Sequence, residues 1–79
     1  MAYLKPSTRR QQRAFVKRVL DFRAEHGLTQ QELAHALGVV RRTIVSIERC
    51  EFAASPKTLF AFKKLEDMYR QAAEIRDGL

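Results

Sequence analysis

The most informative run of apolar and polar positions lies between Leu28 and Cys50, LTQQELAHALGVVRRTIVSIERC. Leu33, Ala34 and Leu37 fall on one helical face, and Val40, Ile44 and Ile47 fall on another. Thr29 precedes the first of these helices, with Glu32 three residues on. This spacing predicts a capping box, in which hydroxyl and carboxylate each take up an unpaired backbone N–H. Gly38 ends the helix at the position where a left-handed residue is cheapest for glycine. A second helix is predicted from about Val40 or Arg41. Its outer face carries Arg41, Arg42, Val45, Ser46 and Arg49. Two short helices joined by a tight turn, one clamping and one presenting, make a helix-turn-helix.

The flanking segments read as further helices. Pro6 stops any helix from running through Met1–Ser7, and Thr8 with Gln11 could form a second capping box. A first helix is then predicted from about Arg9 to His26, ended by Gly27, with a core face of Phe15, Val16, Val19 and Phe22, and Leu20 at its edge. Residues 51 to 55 form a loop. Ser55 caps a last helix that has Pro56 at its first position. Leu59, Phe62 and Leu65 continue the helical spacing, and Met68, Tyr69, Ala72, Ala73 and Ile75 extend it. With no glycine or proline until Gly78, this is either one helix over about 56–77 or two with a bend near Glu66.

Charge changes the picture more than composition does. Of the 79 residues, the first 23 hold Lys5, Arg9, Arg10, Arg13, Lys17, Arg18 and Arg23 against Asp21 alone, and so carry the whole net charge of +6. The remaining residues hold eight bases and eight acids. Arg9 and Arg10 sit in a helix's first turn, where the helix dipole disfavours cations. A polyanion would relieve that conflict. At this length the core is marginal, and association is a common remedy. No apolar run is long enough to span a bilayer, and no signal-peptide pattern is present. With a single cysteine, these features point to the cytoplasm.

Arg23, Gly27-Leu28-Thr29-Gln30, Glu32-Leu33-Ala34, Leu37-Gly38-Val39, Thr43-Ile44 and Ile47-Glu48-Arg49 stand in an order and spacing that carry a resemblance. The chain resembles the phage-repressor and Cro type of helix-turn-helix, also called the xenobiotic-response-element type, over roughly Val19 to Leu65. The resemblance implies an all-α fold, a compact lambda-repressor-like bundle of four or five helices. It implies one DNA-binding domain over residues 1–79: a basic arm at 1–8, the helix-turn-helix at 29–50 and a C-terminal helix at 56–77. It further implies that Gln30 donates to a DNA phosphate and that Arg23 pairs with Glu48. Two positions depart from the family pattern. Val40 stands where Ser or Thr caps the recognition helix, and Cys50 stands where glycine follows that helix. The turn to residue 55 is therefore expected to differ, and Cys50 is expected to be a buried small hydrophobe.

The reading that follows is a sequence-specific regulator of transcription that binds double-stranded DNA as a homodimer, as a repressor or autoregulator. Arg41 and Arg42 open the recognition helix, and an arginine fork matches guanine O6 and N7. Val45 suits a thymine methyl, and Ser46 lies beside it. Thr43 and Arg49 suit phosphates, and Arg9 and Arg13 extend the phosphate contact. Phe60, Leu65, Met68, Tyr69, Ala72 and Ile75 are the candidate dimer surface. No metal site, cofactor or enzymatic motif is read: His26 and His35 lack partners at ligand spacing, and His35 is expected to face solvent. Two rivals stand beside this reading. One is an antitoxin whose C-terminal helix binds a toxin or other protein partner. The other is a helical interaction module that no longer binds DNA.

Overall fold

In the computed structural model, residues 9–51 and 53–78 are described, and they form four helices and no strand. These are α1 (Arg9–His26), α2 (Gln30–Leu37), α3 (Arg41–Glu48) and α4 (Pro56–Asp77). The basic arm, with Lys5, Pro6 and the Thr8 cap, lies outside the described residues.

Each helix starts and stops for a local reason. Thr29 caps α2 through its hydroxyl, which accepts from the Glu32 N–H at 3.0 Å, while the Thr29 N–H donates to the Glu32 carboxylate at 2.8 Å. Ser55 caps α4 by accepting from the Thr58 N–H, and Pro56 follows in the first turn. The first three helices end alike. Leu28 N–H reaches Arg23 O, Val39 N–H reaches Ala34 O, and Glu51 N–H reaches Ser46 O, at 2.9–3.0 Å. This closure needs a left-handed residue just past the helix. Gly27 (φ 63°) and Gly38 (φ 73°) supply it twice, and Cys50 (φ 58°) supplies it the third time. The departure at Cys50 therefore does not alter how α3 closes, while the expected difference in the turn to residue 55 involves residue 52, outside the described residues. The chain closes the helix in the same way and places a non-glycine residue in the strained region.

The core joins all four helices. Phe15, Val16, Val19 and Phe22 of α1 meet Leu33 and Ala34 of α2, Ile44 and Ile47 of α3, and Phe62 and Leu65 of α4. Phe62 is wholly buried and stands edge-on to both Phe15 and Phe22, with ring centroids 5.4 Å apart in each case. Aromatic rings favour this arrangement because a positive ring edge meets a negative face. Tyr69 and His26 extend the cluster on the far side of Phe22. α4 is a single helix without a break. Its buried positions end at Leu65, and beyond the half-buried Tyr69 only Ala73 is partly covered.

Three further assignments change. Val40 does not pack with Ile44 and Ile47. It is the extended residue before α3 and is 67% exposed, while Val39 turns onto the core instead. Leu65 and Tyr69 belong to the core and its edge, not to a free outer face. Cys50 is exposed, because the left-handed residue at the helix end turns its side chain away from the core.

Since Cys50 holds a backbone that costs an L-residue about 1–2 kcal/mol, we expect Cys50→Gly to stabilise the domain by about 1 kcal/mol. That corresponds to a rise of roughly 4–8 °C in Tm. A thermal melt with no rise would show that the left-handed residue is not strained.

Candidate nucleic-acid interface

The helix-turn-helix is held by one carboxylate. Glu48, near the end of α3, has a side chain only 8% exposed. Arg23 of α1 grips it with two donors, Nε to Oε2 at 2.8 Å and Nη2 to Oε1 at 3.3 Å. Gln30, at the start of α2, donates from Nε2 to Oε1 at 2.9 Å. Arg23 also donates to the Leu28 carbonyl, which fixes the turn between α1 and α2. Arg41, the first residue of α3, reaches back to the Gln30 Oε1 at 3.4 Å. A chain of polar contacts thus runs from α1 through α3 to α2 and returns to the first turn of α3. A buried carboxylate is tolerable only when paired and hydrogen-bonded, and this one is both.

The outer face of α3 is thereby presented in a fixed attitude. Arg41, Arg42 and Arg49 are exposed, and Thr43 and Val45 are half-buried. Arg42 has no acidic partner among the described residues, while Arg49 lies 3.9 Å from Glu51. Ser46 is placed otherwise than the pattern suggested. It is 8% exposed, lying where the chain doubles back and the Glu51 N–H bonds its carbonyl. Its side chain is therefore not part of the exposed face of α3. Gln30 sits at the rim of this surface, but its amide is engaged inward by Glu48 and Arg41, leaving one Nε2 hydrogen for an outside acceptor.

The basic side chains of the N-terminal third separate into two groups. Lys17 pairs with Asp21, Arg18 with Glu66, and Arg23 with Glu48. The hydrogen bond to Asp21 holds the Lys17 ammonium pKa above its usual value. Arg18 also lies over the Phe15 and Phe62 rings. Arg9, Arg10 and Arg13 have no acidic partner among the described residues and are exposed. Arg9, Gln12 and Arg13 line a cleft with Cys50, so Arg9 and Arg13 stand beside the C-terminal end of α3. A second feature escaped the sequence pattern. Lys57, in the first turn of α4, shares a groove with Thr43 and Ser55. Its signal was a cation in a helix's first turn, the same dipole conflict as at Arg9 and Arg10. Among the described residues no three His, Cys, Asp or Glu side chains cluster to hold a metal ion. No helix among them is long and apolar enough to cross a membrane.

A short clamping helix, a tight turn and an exposed basic helix locked against it define a helix-turn-helix domain. The helix-turn-helix family model matches residues 19–64. The chain belongs to this family, in its xenobiotic-response-element type, which comprises DNA-binding transcription regulators. It is similar to an uncharacterised HTH-type transcriptional regulator of Archaeoglobus fulgidus, 37% identical over 59 residues, covering 66% of this chain and 81% of the relative. A similarly described protein of Methanocaldococcus jannaschii is 42% identical over 53 residues, covering 61% and 80%. One of Methanothermobacter thermautotrophicus is 36% identical over 56 residues, covering 71% and 78%. No solved structure matches the chain.

Removing one partner of the Glu48 pair strands the other in a place with little water. We expect Glu48→Gln to cost about 3–5 kcal/mol, a large part of the roughly 5–15 kcal/mol that holds a small domain. Replacing both partners, Arg23→Met with Glu48→Leu, should recover most of that loss. Urea unfolding of the three proteins checks this, and an unchanged midpoint for Glu48→Gln would refute it.

Proposed function

We propose that the chain is a sequence-specific, double-stranded-DNA-binding transcription regulator that acts as a homodimer, with α3 in the major groove and a repressing or autoregulating role. The observation that carries this reading is the sorting of charge. Lys17, Arg18 and Arg23 each have an acidic partner within the domain, whereas Arg9, Arg13 and Arg42 are exposed without one, on α3 or beside its end. Arg42 and Val45 are the base readers, for guanine and for a thymine methyl. Arg41, braced by the Gln30 carbonyl, either shares that role or holds phosphate. The remaining N–H of Gln30, together with Thr43 and Arg49, grips the backbone next to α3, and Arg9 and Arg13 extend the contact beyond its C-terminal end. A dimer places two such helices about 34 Å apart, one turn of the duplex. The reading requires no cofactor and no catalysis, and a cytoplasmic location suits it. An antitoxin role uses the same DNA surface and adds a protein partner on the exposed part of α4.

Selection from random double-stranded DNA at near-physiological salt should enrich a two-fold-related site. Arg42→Ala should relax preference at one base pair and leave nonspecific binding largely intact. Arg13→Ala should weaken all sequences alike and reduce the salt slope by about one unit. Loss of preference at Arg13→Ala, with a salt slope reduced by Arg42→Ala, would refute these assignments. No enriched site would refute sequence-specific binding.

A further inference from the structure

The core uses one side of α4. The opposite side carries Phe60, Met68, Ala72 and Ile75, with Phe60 73%, Met68 56% and Ile75 68% exposed. These residues form a stripe along the helix, interrupted by Lys64 and Gln71. The last turns, past Tyr69, have little of the domain against them, and helix segments this short are marginal in water without packing.

One flank of the stripe decides what covers it. Lys63, Asp67, Arg70 and Glu74 follow one another at spacings of four, three and four residues, which keeps them on one side of the helix. Arg70 already donates to Asp67 within the helix at 2.9 Å, and Lys63 and Glu74 have no ionic partner among the described residues. The order of charge, plus, minus, plus, minus, is its own complement when the direction is reversed. Turned about a two-fold axis between Met68 and Tyr69, Lys63 of one copy faces Glu74 of the other, and Asp67 faces Arg70. Every pair is then of opposite sign. In the same arrangement Lys64 lies near Ala72, a small residue over which its alkyl stem can rest. A parallel pairing instead brings Lys57 and Lys64 against their own copies. It also turns the charged flank toward the side that carries Ala61 and Ala72. The far edge of the flank, through Lys63, Asp67 and Arg70, borders an open groove of about 410 Å³ that Phe22, Glu25, His26, Glu66 and Tyr69 also line.

From this we infer that α4 is the pairing surface of the homodimer, and that two copies of α4 pack antiparallel with the two-fold axis between Met68 and Tyr69. This rests on the homodimer reading above and adds its partner surface and register. α4 then has two functions, with Phe62 and Leu65 completing the core and Phe60, Met68, Ala72 and Ile75 meeting the second copy.

Oligomer mass and cross-linking test it together. The unaltered chain should have the mass of a dimer. Lys63→Glu and Glu74→Lys should each weaken dimerisation about tenfold, since each turns two cross-pairs repulsive, and the two changes combined should restore it. On a Cys50→Ser background, Lys64→Cys and Ala72→Cys proteins should form a disulfide with each other when mixed. Neither should do so alone, because identical positions lie roughly 13 and 10 Å apart along the paired helices at 1.5 Å per residue, beyond disulfide reach. Lys64→Cys linking to its own kind, or a dimer indifferent to both charge reversals, would overturn the register. A monomeric chain that still selects a DNA site would overturn the dimer surface and leave the role of α3 intact. A dimer with these cross-links that selects no DNA would uphold the helix pairing and sink the DNA reading.

Discussion

The arrangement of the domain depends on how one carboxylate avoids being stranded. Glu48 is nearly out of solvent, and a charge there is stable only while Arg23 and Gln30 both point at it. These partners come from different helices, so the requirement becomes a constraint on how α1, α2 and α3 sit together. Such a pair adds little net stability over an apolar alternative, because both ions lose their water. Its contribution is geometric. The Arg23 fork sets the angle of Glu48, Glu48 sets the amide of Gln30, and the Gln30 carbonyl receives Arg41. The presenting helix is therefore aimed by a network that has no apolar substitute of the same directionality.

Around that network the apolar core does the ordinary work of a small domain. Phe62 inserts between Phe15 and Phe22, and Leu33 and Ile44 are fully enclosed. The hydrophobic burial holds the four helices together, through Ile44 and Ile47 in the case of α3, but it is non-directional. The polar contacts supply what burial lacks, since hydrogen bonds fall off steeply with misalignment. The basic surface of α3 and the free cations of α1 thus stand in a fixed relation, which a ligand with regularly spaced charges can recognise.

Charge in this protein is divided by structural use. Seven bases stand in the first 23 residues, against one acid. Arg18 covers two core phenylalanines and pairs with Glu66, so it acts as part of the fold. Lys17 is matched within its own helix. Among the described residues, Arg9 and Arg13 have no acidic partner and stand at one end of α1, next to the end of α3. The same division appears on α4, where Leu65 and Tyr69 serve the core and Phe60, Met68, Ala72 and Ile75 do not.

The helices, their caps and their ends were legible in the chain because these are contests between neighbours. Thr29 and Glu32, Ser55 and Pro56, Gly27 and Gly38 act within a few residues, and the structure places each as its spacing requires. The all-α class and the helix-turn-helix follow from the same short-range information. What only the tertiary structure decided concerns residues whose surroundings are set by distant parts of the chain. Val40 has an apolar side chain in helical register with Ile44, yet the extended backbone before α3 turns it to solvent. Ser46 has a polar side chain in register with the outer face of α3, yet it is buried in the folded domain. Cys50 accepts a left-handed backbone because the closing hydrogen bonds of α3 outweigh its strain. Gln30 has an amide that could serve either solvent or the domain, and Glu48 and Arg41, 18 and 11 residues away, direct it inward. Local periodicity determines which face of a helix is apolar, and only the packing of the other helices determines how far that face extends.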